Sequence, residues 1–372
     1  MHISTILAHA GLTPDPTTGA ITPPIELSTI FKYPENGYPE AKFGYTRHNN
    51  PGRLRLEEAL ANLEGGQDAA AFGSGIAAMQ AVIQALGKDA HLLVPDDLYH
   101  GFRTLLLDYS THWGLEVSFV DMRQPDQLVQ DFRQNTRMIW IETPSNPMLN
   151  LTDIRAITTL AQSHDILTCV DNTWMTPVLQ KPLVLGADLV MHSTTKYMGG
   201  HSDILGGAII TKEASPFFAR IREIQQVSGG VPSPFDCWLL LRSLRTLYVR
   251  MHHQMKNAQI IADWLSRQPE VSKVYYPDLS KESTSTFASQ QMMGPGAMIS
   301  FLLNRSAKEV LSVVSKSKII LPATSLGGVE STWEHRYSSE GTTSKTPDQL
   351  IRLSVGIEDV HDLIKDIERA LS

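Results

Sequence analysis

The stretch HSTTKYMGGHSD (192–203) sets a single lysine, Lys196, among Ser193, Thr194 and Thr195, with no acidic residue beside it. A lysine amine becomes a nucleophile when it loses its proton, and partial removal from water favours that loss. Such an amine can condense with an aldehyde, while the hydroxyls of Ser193 and Thr195 can bind phosphate oxygens. Taken alone, a loop lysine in water is the plainer reading. Other stretches carry matching chemistry. Gly73-Ser74-Gly75-Ile76-Ala77-Ala78 joins glycine backbone to a helix start, which suits an anion. Asp171 ends the apolar run ILTCV, a costly place for a carboxylate unless a protonated ring nitrogen or a helix cap pairs with it. Tyr99, just after LLVP, can lie on a flat ring, and Asn146 in TPSNP offers an amide held between prolines. A packing tyrosine and a plain turn are the ordinary alternatives for these two.

Each feature is weak alone, but together they supply what a pyridine aldehyde with a phosphate needs. Those needs are a lysine, an acid for the ring nitrogen, an aromatic cover and a phosphate cup. One competitor uses some of the same residues. Gly73 to Ala78 also fits the GxGxxA form of a dinucleotide fingerprint, and Asp97 follows a strand about 20 residues on. That NAD-dependent dehydrogenase reading leaves the Lys196 and Asp171 segments unexplained.

The elements that must position these residues alternate. Strand patterns occur at DAAAF (68–72), HLLVP (91–95), EVSFV (116–120), RMIWIE (137–142), ILTCVD (166–171), ADLVMHS (187–193) and GGAII (206–210). Helical spacing occurs at RLRLEEALANLEGG (53–66), GIAAMQAVIQAL (75–86), about 101–110, and TDIRAITTLAQS (152–163). This alternation predicts an α/β domain with a mostly parallel sheet covered on both faces, and ligands then sit beyond the carboxyl ends of its strands. Residues 1–45 are rich in Pro, Thr and Gly and read as an extended N-terminal arm contacting a neighbouring subunit, with a surface loop as the alternative. Residues 46–236 form the large domain. From 237 a long helical pattern with a possible bend, the strand candidates VSKVYY, AMISFLL and RLSVGI, and the amphipathic VHDLIKDIERAL predict a smaller α+β domain (237–372).

Composition narrows the function classes. The chain has 372 residues, a net charge of -7 and 42% hydrophobic residues, so it can bury a large core and has no global basic field for nucleic acid. Two cysteines, Cys169 and Cys237, lie in apolar runs and read as buried thiols, and no metal-ligand spacing is present. No apolar run reaches the ~18 residues of a membrane helix. The opening MHISTILAHAG lacks the pattern of a signal peptide, so a cytoplasmic location is expected.

Several motifs, in order, resemble those of the Cys/Met-metabolism (transsulfuration) family of pyridoxal-phosphate enzymes. They are PDPTTGAITPPIELSTIF, YTRHNNPGR, ETPSNP, VDNTW, STTKYMGGHSD, SPFDCWLLLRSLRTL, SLGGVES and RLSVGIE, and they cover nearly the whole chain. The resemblance implies the fold type I, aminotransferase-like architecture and pyridoxal 5'-phosphate as cofactor. It implies Lys196 as the Schiff-base lysine, Asp171 as partner of the ring nitrogen and Tyr99 stacked on the ring. Gly75, Ile76, Ser193 and Thr195 would hold the phosphate, and Tyr45 and Arg47 would reach the phosphate of a neighbouring subunit's cofactor. Arg352 would clamp the substrate α-carboxylate, helped by Asn146 and Ser325. It further implies an active site built by a homodimer, paired into a tetramer, and elimination or replacement on a sulfur amino acid. Cystathionine γ-synthase or γ-lyase chemistry leads, with a cystathionine β-lyase or an O-acylhomoserine sulfhydrylase as the alternative.

Three positions depart from the family pattern. Thr324 stands where members acting on cystathionine at the γ-carbon often carry an acid, which weakens recognition of a distal ammonium. Gly101 stands where methionine γ-lyases usually carry cysteine. EHRYSSEG replaces the commoner His-Pro-Ala-Ser, so Arg336 occupies the proline's place. Arg336 and His100 are read as solvated rim residues, with substrate contact as the alternative. His201 and Asp203 are read as shaping the turn after the lysine.

Overall fold

Strand and helix patterns of the sequence resolve into two sheets in the computed structural model, which describes residues 1–35, 42–277, 286–341 and 345–372. Residues 36–41 of the expected arm lie outside the described residues. The first part of the chain runs α1 (Ile3–Ala8), α2 (Pro51–Glu64), β1 (Asp68–Phe72), α3 (Gly75–Leu86), β2 (His91–Pro95), α4 (His100–Trp113) and β3 (Glu116–Val120). It continues through β4 (Thr136–Glu142), α5 (Ile154–Gln162), β5 (Leu167–Asp171), α6 (Thr176–Leu179), β6 (Leu189–His192), β7 (Gly207–Thr211) and α7 (Pro216–Ser228). Then come α8 (Pro234–Leu244), α9 (Leu247–Leu265), β8 (Val271–Tyr275), α10 (Thr286–Gln291), β9 (Met298–Leu303) and α11 (Ala307–Lys316). The chain closes with β10 (Leu321–Pro322), β11 (Thr332–His335), α12 (Arg336–Glu340), β12 (Leu350–Ser354) and α13 (Val360–Leu371).

The large sheet has seven strands in the order β1-β7-β6-β5-β4-β2-β3. The five strands from β6 to β3 pair parallel, while β7 runs antiparallel to both β6 and β1. Both faces are buried, as the near-continuous apolar strands require. On one side Phe102 of α4 packs on Trp140 of β4 with ring centroids 4.5 Å apart. On the other, α5 sets Ile154 and Ile157 against Ile139 and Val170. The chain leaves β2 for β3 on one side and returns to β4 on the other, so the strand order reverses next to β2 and a crevice opens at the carboxyl ends there.

The second sheet has five strands in the order β10-β11-β12-β9-β8, and β11, β12, β9 and β8 pair antiparallel. The expected bend in the long helical pattern falls at Arg245–Thr246, between α8 and α9. Several elements add to the sequence reading, α1, α7, α11 and β11 among them. Helix α1 sits inside the expected arm and buries Leu7. Helix α7 buries Phe218, Ile221 and Ile224, and β11 supplies the strand that flanks β12. Cys169 and Cys237 are buried free thiols. Among the described residues no helix is long and apolar enough to cross a membrane.

Candidate active site

A cavity of about 250 Å³ lies at the carboxyl ends of the parallel strands, and its walls include Lys196, Asp171, Tyr99, Asn146, Ser325 and Arg352. Six separate segments of sequence therefore converge on one space. The reason is geometric: parallel strands share a carboxyl edge, so residues just past β2, β4, β5 and β6 become neighbours.

Lys196 follows β6 in a tight turn closed by Lys196 N–H to Ser193 O at 3.1 Å and Gly199 N–H to Thr194 O at 2.9 Å. The buried Arg250 of α9 braces that turn, donating from Nη1 to Tyr197 O at 2.7 Å. Gly327 approaches the turn so closely that a Cβ there would fall 2.6 Å from Tyr197 N, and its φ of +81° suits glycine. The lysine Nζ donates to Ser325 Oγ at 2.7 Å. Burial pushes the amine down from 10.5 to about 8, helped by the positive charge of Arg352 and opposed by Glu334. A lysine expected to lack an acidic neighbour in sequence thus has a hydroxyl as its hydrogen-bond partner in space.

Asp171 closes β5 and is buried, with Oδ1 accepting from Thr173 N–H at 3.0 Å. In register beside it on β4 stands Glu142, whose Oε2 accepts from Tyr99 N–H at 2.9 Å. Burial raises both carboxyls, and the charge of Asp171 raises Glu142 further. Two adjacent carboxylates in a dry wall do not both ionise. Burial and the neighbouring Asp171 charge favour the protonated form of Glu142. Hydrogen bonds from Thr173 favour the ionised form of Asp171.

The phosphate cup stands opposite. Ser74 caps α3, accepting from Ala77 N–H at 3.1 Å, and Gly75 and Ile76 occupy the first turn, where amides lack intrahelical partners. A Cβ at Gly75 would come within 3.0 Å of Ser193 Oγ, so glycine keeps the cup open. The residues fit a phosphorylated flat ring with an aldehyde: the cup, the lysine and the buried carboxylate line one cavity, with Tyr99 in its wall. Thr195 lines the cavity too, yet its Oγ1 is already bonded to Gly206 O at 3.1 Å and Gly206 N–H at 3.0 Å. Its hydroxyl shapes the turn as well as facing the cup.

Arg352 on β12 donates to Asn146 Oδ1 at 3.0 Å, Ser325 O at 3.2 Å and Glu334 Oε2 at 2.9 Å. Asn146 is thereby oriented with its amide nitrogen free to donate. Tyr45 and Arg47 lie outside the cavity of this chain; Arg47 packs on the Tyr45 ring at 5.5 Å and donates to Gln226 O at 2.5 Å.

Sequence reasoning missed Glu142, Thr173 and Glu334. Glu142 ends the apolar run RMIWIE as Asp171 ends ILTCV, so the same argument about a carboxylate after an apolar strand would have found it. Glu334 had no such signal. Arg336, read as a rim residue in water, is in fact 6% exposed and lines the cavity. It is buried because it pairs with Glu334 and Glu340. His100, by contrast, starts α4 away from the cavity wall. His201 bonds Gly199 O at 2.8 Å, as a turn-shaping residue does. The dehydrogenase reading fails on topology. The β1 strand lies at the sheet edge, antiparallel to its neighbour, whereas a dinucleotide fingerprint needs a parallel βαβ unit. The Asp97 carboxylate is also engaged, accepting from Ser145 Oγ and from Met148 N–H at 3.1 Å. Among the described residues no cluster of three or more His, Cys, Asp or Glu side chains could hold a metal ion.

Residues 4–372 match the family model described as "Cys/Met metabolism PLP-dependent enzyme". The chain is 42% identical over 371 residues to a cystathionine gamma-synthase of Mycobacterium bovis, covering 98% of this chain and 95% of that one. It is 41% identical to a cystathionine beta-lyase of Lactococcus lactis, covering 99% and 98%. A solved cystathionine gamma synthase of Xanthomonas oryzae pv. oryzae, in complex with cystathionine, superposes with a TM-score of 0.95 at 38% identity, covering 100% of this chain and 98% of that one.

Proposed function

The chain belongs to the Cys/Met-metabolism family of PLP-dependent enzymes, and from that premise we propose that it catalyses γ-replacement or γ-elimination on a homoserine-derived or cystathionine-like amino acid. The observation that carries this reading is the Lys196 amine, lowered by burial to about 8 and hydrogen-bonded to Ser325, in the cavity whose wall holds the Arg352 and Asn146 clamp.

Arg352 takes the substrate α-carboxylate with its planar fork, which matches a carboxylate better than a point charge does. Asn146 adds its free amide N–H, and Ser325 stands between clamp and lysine. That arrangement sets the substrate α-carbon near Lys196 Nζ, which removes the proton there and then one from the β-carbon, so that the electron pair freed at the β-carbon can expel the γ-substituent. Asp171 holds the proton-bearing ring nitrogen, and Gly75, Ile76, Ser193 and Thr195 hold the phosphate. When bound, the pyridoxal ring takes up the electron pair left on the substrate carbon. Loss of the γ-substituent then allows a thiol to add or water to finish an elimination.

Tyr45 and Arg47 are assigned to the cofactor of a neighbouring subunit, which makes the working enzyme a homo-oligomer, a tetramer of paired dimers, acting in the cytoplasm. Their exclusion from this chain's own cavity supports that assignment. Reaction type is tested by products. Holoenzyme given an O-acylhomoserine and cysteine should form cystathionine, and without thiol it should release 2-oxobutyrate. Pyruvate as the main product from cystathionine, with no reaction of the acylhomoserine, would move the enzyme to β-lyase chemistry. Sulfide used in place of cysteine, with homocysteine as the product, would indicate the sulfhydrylase.

A further inference from the structure

Two guanidinium groups reach the cavity, Arg352 and Arg336, although one suffices for an α-carboxylate. Arg336 stands where β11 gives way to α12, two residues past Glu334. Its Nη1 donates to Glu334 Oε2 at 3.1 Å, the same oxygen that Arg352 Nη2 reaches at 2.9 Å. Its Nη2 donates to Glu340 Oε1 at 2.5 Å, and the other oxygen of Glu340 accepts from Thr346 Oγ1 at 2.8 Å. Two carboxylates thus hold the guanidinium in one plane against a cavity wall. The Nε–H is buried and has no acceptor. A buried donor left unpaired is destabilising, and it costs least where a ligand supplies the missing oxygen. The proline commoner at this position in the family has no side-chain donor.

The geometry points to Arg336 as the recognition residue for a second carboxylate, at the distal end of the substrate side chain, beyond the α-carboxylate that Arg352 takes. The assignment rests on the proposed reading in one respect, namely that an amino acid's side chain lies in this cavity. A guanidinium already shared by two glutamates suits a singly charged carboxylate; a dianionic phosphate would meet their repulsion. A distal ammonium finds no acid at Thr324, which lines the same wall. The favoured leaving group is therefore an acidic acyl group without an amine, as in a dicarboxylic ester of homoserine.

Binding tests this without relying on turnover. L-2-aminoadipate and L-norleucine share an α-amino acid end and differ in the distal carboxylate. Dissociation constants from the absorbance of the holoenzyme should favour L-2-aminoadipate by about tenfold or more in the wild type. Arg336→Met should bring the ratio to about one while retaining norleucine binding, and Arg336→Lys should keep part of the preference. The turnover ratio of O-succinylhomoserine to O-acetylhomoserine, each with cysteine, should fall alongside it in Arg336→Met. A wild-type ratio near one, or a preference that survives Arg336→Met, overturns the assignment. Loss of both amino acids in the Met and Lys variants alike overturns it too, since Arg336 would then be only a brace for Glu334 and Glu340. A wild type that prefers L-2-aminoadipate but uses neither ester would sink the γ-replacement reading and leave the Arg336 site standing.

Discussion

Lys196 shows how much of a residue's chemistry comes from neighbours distant in sequence. Its amine titrates at about 8 because burial removes water and because Arg352 adds positive charge. A depressed lysine pKa means the free amine is present above about pH 8 instead of above 10.5, and that free amine is what an aldehyde requires. Uptake of pyridoxal phosphate by the cofactor-free chain, followed by stopped-flow absorbance, should accelerate about tenfold between pH 7 and pH 9 and then level off. Arg352→Met removes a positive charge, favours the protonated amine, and should move that rise to higher pH. A wild-type midpoint near 10.5 would contradict the burial argument. The lysine, its hydroxyl neighbours and Asp171 were legible as residue types at strand ends. Glu334, which links Arg352 to Arg336, was not, because nothing local distinguishes it from any other glutamate on a strand.

At the scale of elements, the lysine turn depends on a helix residue 53 positions away in sequence. Arg250 of α9 donates to Tyr197 O, to Ser243 O at 3.1 Å and to Thr246 Oγ1 at 3.1 Å, and it is buried. Arg250→Met keeps much of the volume but leaves those acceptors unpaired, a cost of about 2–4 kcal/mol. The expected result is a lower thermal midpoint for the cofactor-free chain together with slower cofactor uptake. An unchanged midpoint with normal uptake would show that the turn holds its shape without this brace. Strand and helix positions around the cavity were readable because buried parallel strands are continuous apolar runs and their helices repeat at a helical period. The antiparallel course of β7 was hidden, since direction leaves no mark on a strand's composition. Helix α1 was hidden as well: six residues carry too little periodicity to stand out from a proline-rich segment.

For the whole molecule, the decisive question is how many chains make one site. Tyr45 and Arg47 stand outside the cavity of their own chain, and the proposed reading gives them to a neighbour. Arg47→Ala and Lys196→Ala chains should each be inactive alone. Co-expressed, they should form mixed dimers with one intact site, giving about a quarter of wild-type activity if pairing is random. A mixture as inactive as its parents would mean that each chain builds its site alone. The sequence by itself determined the α/β class, the large sheet's strands and which residue types at strand ends have the chemistry to meet a phosphate, a ring nitrogen and an aldehyde. It could do so because strand ends, apolar runs and residue chemistry are local properties. Only the tertiary structure decided that these six segments share one cavity, that Glu142 sits beside Asp171, and that Arg336 is buried between two carboxylates instead of solvated at the rim. Those facts depend on register, on the side of the sheet each crossover takes and on the packing of the second sheet against the first part of the chain. Each is a long-range relation that no single stretch of sequence contains.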